Sequence, residues 1–233
     1  MGANLVFVFE IKRQDFTKSM LKQLIRLLTG KHKTEADPKS TALLIEKLYA
    51  DGKGDVATVH ADFPYLQEPK GMTLAACTTK NPEFLEDPNI RLSPQNAALK
   101  DDACWIYVIV QEWELSAQSE TSQNPLSLLL EDLVMIYMFL KPQWARGDTD
   151  IAMRGYITQW SQTLANFNLL TPEDVKMMGL VMVKDMPAFL KMALPDGGML
   201  IQFNPLYFEK NAGKVRFDYG EIAKRIGYRG KPT

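Results

Sequence analysis

The sequence predicts an α+β protein. Strand-like runs gather in the first half, and helical periodicity dominates the second. The two kinds do not alternate as they would in a parallel α/β sheet. The expected layout is an N-terminal mixed strand and helix part with a central buried strand. A mainly helical part follows, then a C-terminal hairpin and a short helix. A boundary falls in the polar stretch from Ser116 to Asn124, giving parts 1–118 and 119–233 that form two domains or one.

Leu5 to Ile11 reads as a strand, rich in Val, Phe and Ile with no turn residue. Phe16 to Leu28 reads as an amphipathic helix, with Phe16, Met20, Leu24 and Leu27 near one face. Asp15 can cap its first turn and Gly30 can end it. Thr41 to Ala50 predicts a second helix, stopped by Gly52. Val56 to His60 and Met72 to Thr78 are strand candidates, and Phe84 to Glu86 a single helical turn. Ala103 to Leu115 is the strongest strand of the chain. Its apolar residues fall on both faces, which suits a central strand covered on two sides.

Beyond the polar stretch, Asn124-Pro125 signals a helix start, and that helix should run to about Lys141, before Pro142. A second is expected from near Thr149 to about Asn168. Thr171-Pro172-Glu173-Asp174 opens a third, with cap, proline and acidic first turn in place. Pro187 should kink or break it, with helix resuming to Leu194. Pro195-Asp196-Gly197-Gly198 reads as a turn. Met199 to Phe203 and Lys214 to Phe217 are expected to pair as a hairpin, and Tyr219 to Ile226 to form the last helix.

The 233 residues carry 27 Lys and Arg against 28 Asp and Glu, a net charge of -1. Hydrophobic residues make up 46%, an ordinary value for a folded domain that excludes wholesale disorder. Cys77 and Cys104 are the only cysteines, so a disulfide scaffold is not expected and a cytoplasmic setting is. The apolar stretch Leu5 to Phe9 is too short for a signal peptide. Leu128 to Leu140, interrupted by Glu131 and Asp132, is too short to span a membrane.

The charge is unevenly spread. From Ile11 to Lys33 seven basic residues face Asp15 alone, a local charge of +6, and from Glu209 to Thr233 the balance is +4. Lys18, Lys22 and Arg26 recur every four residues along one helical stripe, and Lys31 and Lys33 extend it. With Lys224, Arg225 and Arg229 they are the candidate contacts for nucleic acid or another anion, since such a stripe can track phosphates. Met178, Met182 and Met186 also share a face at four-residue spacing, among Leu180, Val181 and Val183. Methionine adapts to irregular surfaces, so this Met-rich helix is the candidate partner-binding face.

Two short runs are similar to known motifs. Period two puts Glu10 and Lys12 on one face of the first strand. Val6 to Lys12 resembles the E-x-K strand of the PD-(D/E)xK nucleases, in which the carboxylate holds a metal and the lysine positions water. No acidic residue precedes Glu10 to complete that metal site. Tyr219 to Gly227, Tyr-Gly-Glu-Ile-Ala-Lys-Arg-Ile-Gly, is similar to the first helix and turn of helix-turn-helix motifs, closely so in the O6-alkylguanine-DNA transferases. The six residues after it are too few for a recognition helix.

His32, His60, Cys77 and Cys104 are isolated in sequence, and no phosphate-binding glycine loop occurs. No catalytic residue, metal or cofactor is therefore assigned. The expectation is a non-catalytic subunit of a larger cytoplasmic multiprotein or nucleoprotein assembly. It would bind a protein partner through the Met-rich helix and an anionic partner through the basic segments. The alternatives are a divalent-metal nuclease using Glu10 and Lys12, or a stand-alone nucleic-acid-binding regulator.

Overall fold

A computed structural model describes residues 4–17, 19–20, 22–24, 26–27, 57–62, 71–77, 103–111, 115, 125–149 and 164–228. Among these residues eight strands form one antiparallel sheet. They are β1 (Asn4–Lys12), β2 (Ala57–Asp62), β3 (Gly71–Cys77), β4 (Ala103–Gln111), β5 (Trp144–Thr149), β6 (Phe167–Leu170), β7 (Leu190–Ala193) and β8 (Met199–Gln202). The helices are α1 (Pro125–Leu140), α2 (Pro172–Met178), α3 (Leu180–Asp185) and α4 (Tyr219–Arg225). A 3-10 turn, Arg13–Asp15, follows β1, and described residues between 19 and 27 are helical. The fold is a mixed α+β arrangement.

The strand order is β2-β3-β4-β1-β5-β6-β8-β7. β1 therefore lies between β4 and β5, so one sheet crosses the expected boundary at 118/119. Both β1 and β4 are interior strands, as the two-faced hydrophobicity of Ala103 to Leu115 implies. Thr41 to Ala50, Phe84 to Glu86 and the linker Ser116 to Asn124 lie outside the described residues.

Period-two alternation divides the sheet into two unlike faces. Leu5, Phe7, Phe9 and Ile11 of β1 share one face with Cys104, Ile106, Val108 and Val110 of β4. Ala145, Phe167, Leu169 and Leu200 continue it across β5, β6 and β8. α1 covers this layer with Leu126, Leu129, Leu130, Leu133, Ile136, Tyr137 and Leu140, spaced three and four residues apart. Phe16 and Leu24 join the same core. Each such large side chain contributes roughly 1.5–3 kcal/mol on burial. On the other face, Leu170, Met199 and Ile201 pack with Val175, Met178, Val183, Met186, Ile222 and Tyr228, under α2, α3 and α4.

Several elements differ from expectation. The helix foreseen to Asn168 gives way to β6. There Phe167 and Leu169 join the α1 layer while Asn168 and Leu170 face away. Asn168 holds the preceding backbone: its Oδ1 accepts from Ala165 N–H at 2.9 Å and its Nδ2 donates to the Ala165 carbonyl at 2.7 Å. The helix opened by Thr171 forms with its capping box but breaks at Gly179, whose φ of 84° is costly for other residues. It ends at Asp185 because Met186, preceding Pro187, is extended.

Leu190–Ala193 is then a strand, and it is this segment that pairs with Met199–Gln202 across the Pro195 turn. Lys214 to Phe217 forms no strand. The Asn204 side chain takes both backbone groups of Phe217, donating from Nδ2 to its carbonyl at 2.7 Å and accepting from its N–H at Oδ1. That leaves Phe217 nothing to offer a strand partner.

Gly147 marks the tightest point of the α1 layer. It lies in register between Phe7 and Phe167, whose rings meet edge to face at 5.3 Å. A Cβ here would lie 2.1 Å from Phe7 Cδ1 and 2.5 Å from Cε1, far inside van der Waals contact. Gly147→Ala is expected to lower stability by about 1–3 kcal/mol, the usual cost of overpacking. Urea-melt midpoints measure it. Adding Phe7→Leu to that variant should recover part of the loss, whereas Phe7→Leu alone should destabilise.

Candidate functional site

The face turned away from α1 carries the chemistry. β1 sends Val6, Val8 and Glu10 to it, β4 sends Trp105 and Tyr107, and β5 sends Trp144, Arg146 and Asp148. All are buried. In one row across the sheet, Trp105 and Trp144 lie directly opposite Glu10 on either side. The Trp105 Nε1–H donates to Glu10 Oε2 at 2.8 Å. Trp105 also meets Trp144 at 6.1 Å and Tyr107 at 6.3 Å between ring centroids, both edge to face.

Further along β5, Arg146 is fully buried. Its guanidinium donates to the Ala145 carbonyl at 2.8 Å and to the Tyr228 hydroxyl, and lies over the Tyr228 ring. Asp148 accepts from Tyr219 Oη at 2.6 Å, Asn166 N–H at 2.9 Å and Thr149 N–H at 2.8 Å. Burial raises its carboxyl above the ordinary range, against those three bonds, which favour the charged form. Burial also raises Tyr228, with Arg146 pulling the other way.

A clasp of amide side chains continues from Asp148. Asn166 Nδ2 donates to the Asn204 carbonyl at 3.0 Å, and Asn204 N–H donates to Asn166 Oδ1 at 2.7 Å. Gln202 Nε2 donates to Glu209 Oε2 at 2.7 Å, which also accepts from Leu206 N–H. Burial raises the Glu209 carboxyl. The Asn166–Asn204 pair thus holds the 203–218 segment on the Asp148 side. Gln202, in register with Phe167 and on the same face as Leu200, holds it through Glu209 on the α1 side.

The sequence singled out Glu10 and Lys12. Both lie on this face, but Glu10 is enclosed between two indoles while Lys12 is exposed. Among the described residues no group of three or more His, Cys, Asp and Glu gathers as metal ligands. The sequence singles out Asp148 only as a helix-capping or ion-ligating acid beside Asp150, and does not single out Trp105, Trp144 or Arg146. The signal available was a charged residue at alternating positions in a strand-like run, Trp144 to Asp148.

The basic candidates are dispersed. Lys22 and Arg26 are exposed beside Leu24, which packs in the α1 layer. Lys224 and Arg225 are exposed beside Ile222 and Ala223, which pack on the opposite face. These two pairs are thus anchored on opposite sides of the sheet. Lys18, Lys31, Lys33 and Arg229 lie outside the described residues. The methionine stripe is also divided. The break at Gly179 ends the four-residue spacing, Met178 and Met186 turn into the core, and Met182 stays exposed. With it Met177, Leu180 and Val181 stand outside, Val181 at 74% exposure.

No protein-family model and no curated protein matches this chain. Among solved structures it is similar to Pseudomonas aeruginosa T6SS protein PA0821, with a TM-score of 0.52 and 12% identity. That likeness covers 98% of this chain and 78% of the other. It shows a shared fold.

Two measurements probe the strip. The folded chain holds the Asp148 proton more tightly than the unfolded chain, whose carboxyl titrates near 3.8. Stability from this group is full below that value and is lost as pH rises through the raised one. The stability advantage of the native chain over Asp148→Asn should therefore grow as pH falls from about 7 to about 4. Urea melts across that range check it. Tyr228→Phe removes the acceptor of a buried guanidinium N–H and should cost about 1–3 kcal/mol by the same assay.

Proposed function

We propose that this chain is a non-catalytic, partner-binding component of a larger cytoplasmic protein assembly, docking its partner on the α2–α3 edge. The observation that carries the reading is the run of exposed large apolar side chains there: Met177 and Leu180 at 50%, Val181 at 74% and Met182 at 43%. Scattered exposed hydrophobics need no explanation, but four within six residues form a patch of the kind that marks interaction sites. Lys22 and Arg26, exposed one helical turn apart, supply a basic surface for an anionic neighbour, nucleic acid included. The fold likeness adds the T6SS setting named for PA0821 as the proposed context. No helix among the described residues is long and apolar enough to cross a membrane.

Val181→Asp tests the docking surface. An exposed substitution of this kind should change stability by no more than about 0.5 kcal/mol. Light scattering on the native chain, purified from its source cell, should show a complex of defined mass. Val181→Asp and Leu180→Asp should elute free of the partner while melting like the native chain. A monomer that retains nothing, or variants that keep the partner equally well, would rule the reading out.

A further inference from the structure

We propose that β7 is a dimerisation seam, along which a second copy of this chain pairs antiparallel and continues the sheet. The inference rests on the reading of the α2–α3 edge as a docking surface and names its occupant. β7 is the last strand on its side of the sheet, and Lys191, Met192 and Ala193 are exposed. Leu194 N–H donates to the Gly198 carbonyl at 3.0 Å, so at that position the backbone turns to β8. Alternation along an antiparallel ladder turns Met192 to β8 as well. It directs the backbone N–H and carbonyl of Lys191 and Ala193 outward. Among the described residues none bonds to those outward groups.

A sheet edge is commonly protected by a lysine that stands over it. Here Lys191 Nζ is drawn away, donating to the carbonyls of Lys184 and, at 2.9 Å, Met186. The same bonds set the end of α3 beside β7. α3 has six residues, a length of about 9 Å. The exposed Leu180, Val181 and Met182 therefore stand close to the seam.

The strand is self-complementary. A two-fold axis at Met192 sets Lys191 opposite Ala193 of the copy on both sides, with about four backbone hydrogen bonds across the seam. No lysine then faces a lysine, and Met192, 38% exposed, meets its own copy at the axis. Such an axis is perpendicular to the sheet, so both α3 helices come to the same side of the joined sheet. A four-residue strand alone falls short of the about 1,000 Å² that a stable interface buries. Leu180, Val181 and Met182 of both copies supply apolar area beside it.

The test uses the full chain, purified alone and sedimented from about 1 to about 100 μM. A concentration-dependent dimer of twice the chain mass is expected. Ala193→Pro removes an outward N–H, and Met192→Asp sets two carboxylates face to face. Each should weaken the dimer by about tenfold or more while melting like the native chain. Residues opposite one another in a non-hydrogen-bonded pair have Cα atoms about 4.5 Å apart, within disulfide reach. Met192→Cys should therefore cross-link into a dimer under oxidised glutathione, well ahead of Ala193→Cys and of the native chain. A chain that stays monomeric at the highest concentration would overturn the proposal. If that chain still carries a partner from its source cell, the α2–α3 reading stands and only the second copy falls. A dimer that both variants leave intact, or Ala193→Cys cross-linking as fast as Met192→Cys, would overturn it too. If either of the other variants fails to fold, the cross-linking decides.

Discussion

The antiparallel pairing of β1 with β4 on one edge and β5 on the other sets every other placement in this fold. It fixes the register of three strands at once, and register decides which face each side chain meets. A slip of one residue would turn Leu5, Phe7, Phe9 and Ile11 away from α1 and drive Glu10 into the leucine-rich layer beneath it. A lone carboxylate in that layer would cost several kcal/mol. The arrangement is thus held from both sides, by what the α1 layer gains and by what it would lose.

The two faces pay for their order differently. Against α1 the interior is apolar and complementary in shape, down to the glycine that leaves room for Phe7. On the opposite face order comes from directed bonds. Arg146 meets Tyr228, Asp148 meets Tyr219, and Asn204 stands in for a strand partner of Phe217. Buried polar networks of this kind specify a conformation more than they add stability, because each group has few acceptable partners. They explain how a 203–218 segment with no regular structure keeps one path across the sheet.

Much of this was legible in the residues. β1, β4 and α1 follow from unbroken strand-like or helical patterning, and the α2 capping box stands in plain sequence at Thr171 to Asp174. What escaped depends on distant partners. Phe167 to Leu170 is only four residues long, too short for period two to outweigh a helical reading of its neighbours. Leu190 to Ala193 becomes a strand because β8 offers it an edge. Apolar content alone points the hairpin to Lys214–Phe217, because it cannot reveal that Asn204 holds Phe217. Glu10 was legible as a residue of interest, through its charge in an apolar strand. The two tryptophans beside it were not, since they sit 95 and 134 positions away in the chain.

The α2–α3 pair shows how local rules can shape a surface. Neither helix has two full turns, and helices that short do not persist alone. Val175, Met178, Val183 and Met186 tie the pair to the sheet from within. Lys191 holds it from outside, its Nζ donating to the carbonyls of Lys184 and, at 2.9 Å, Met186. A continuous helix would carry Met178, Met182 and Met186 on one stripe, so that burying two would bury the third. The turn at Gly179 separates them. It lets Met178 and Met186 reach the core while Leu180, Val181 and Met182 stay outside, which makes the break itself the origin of the exposed apolar edge.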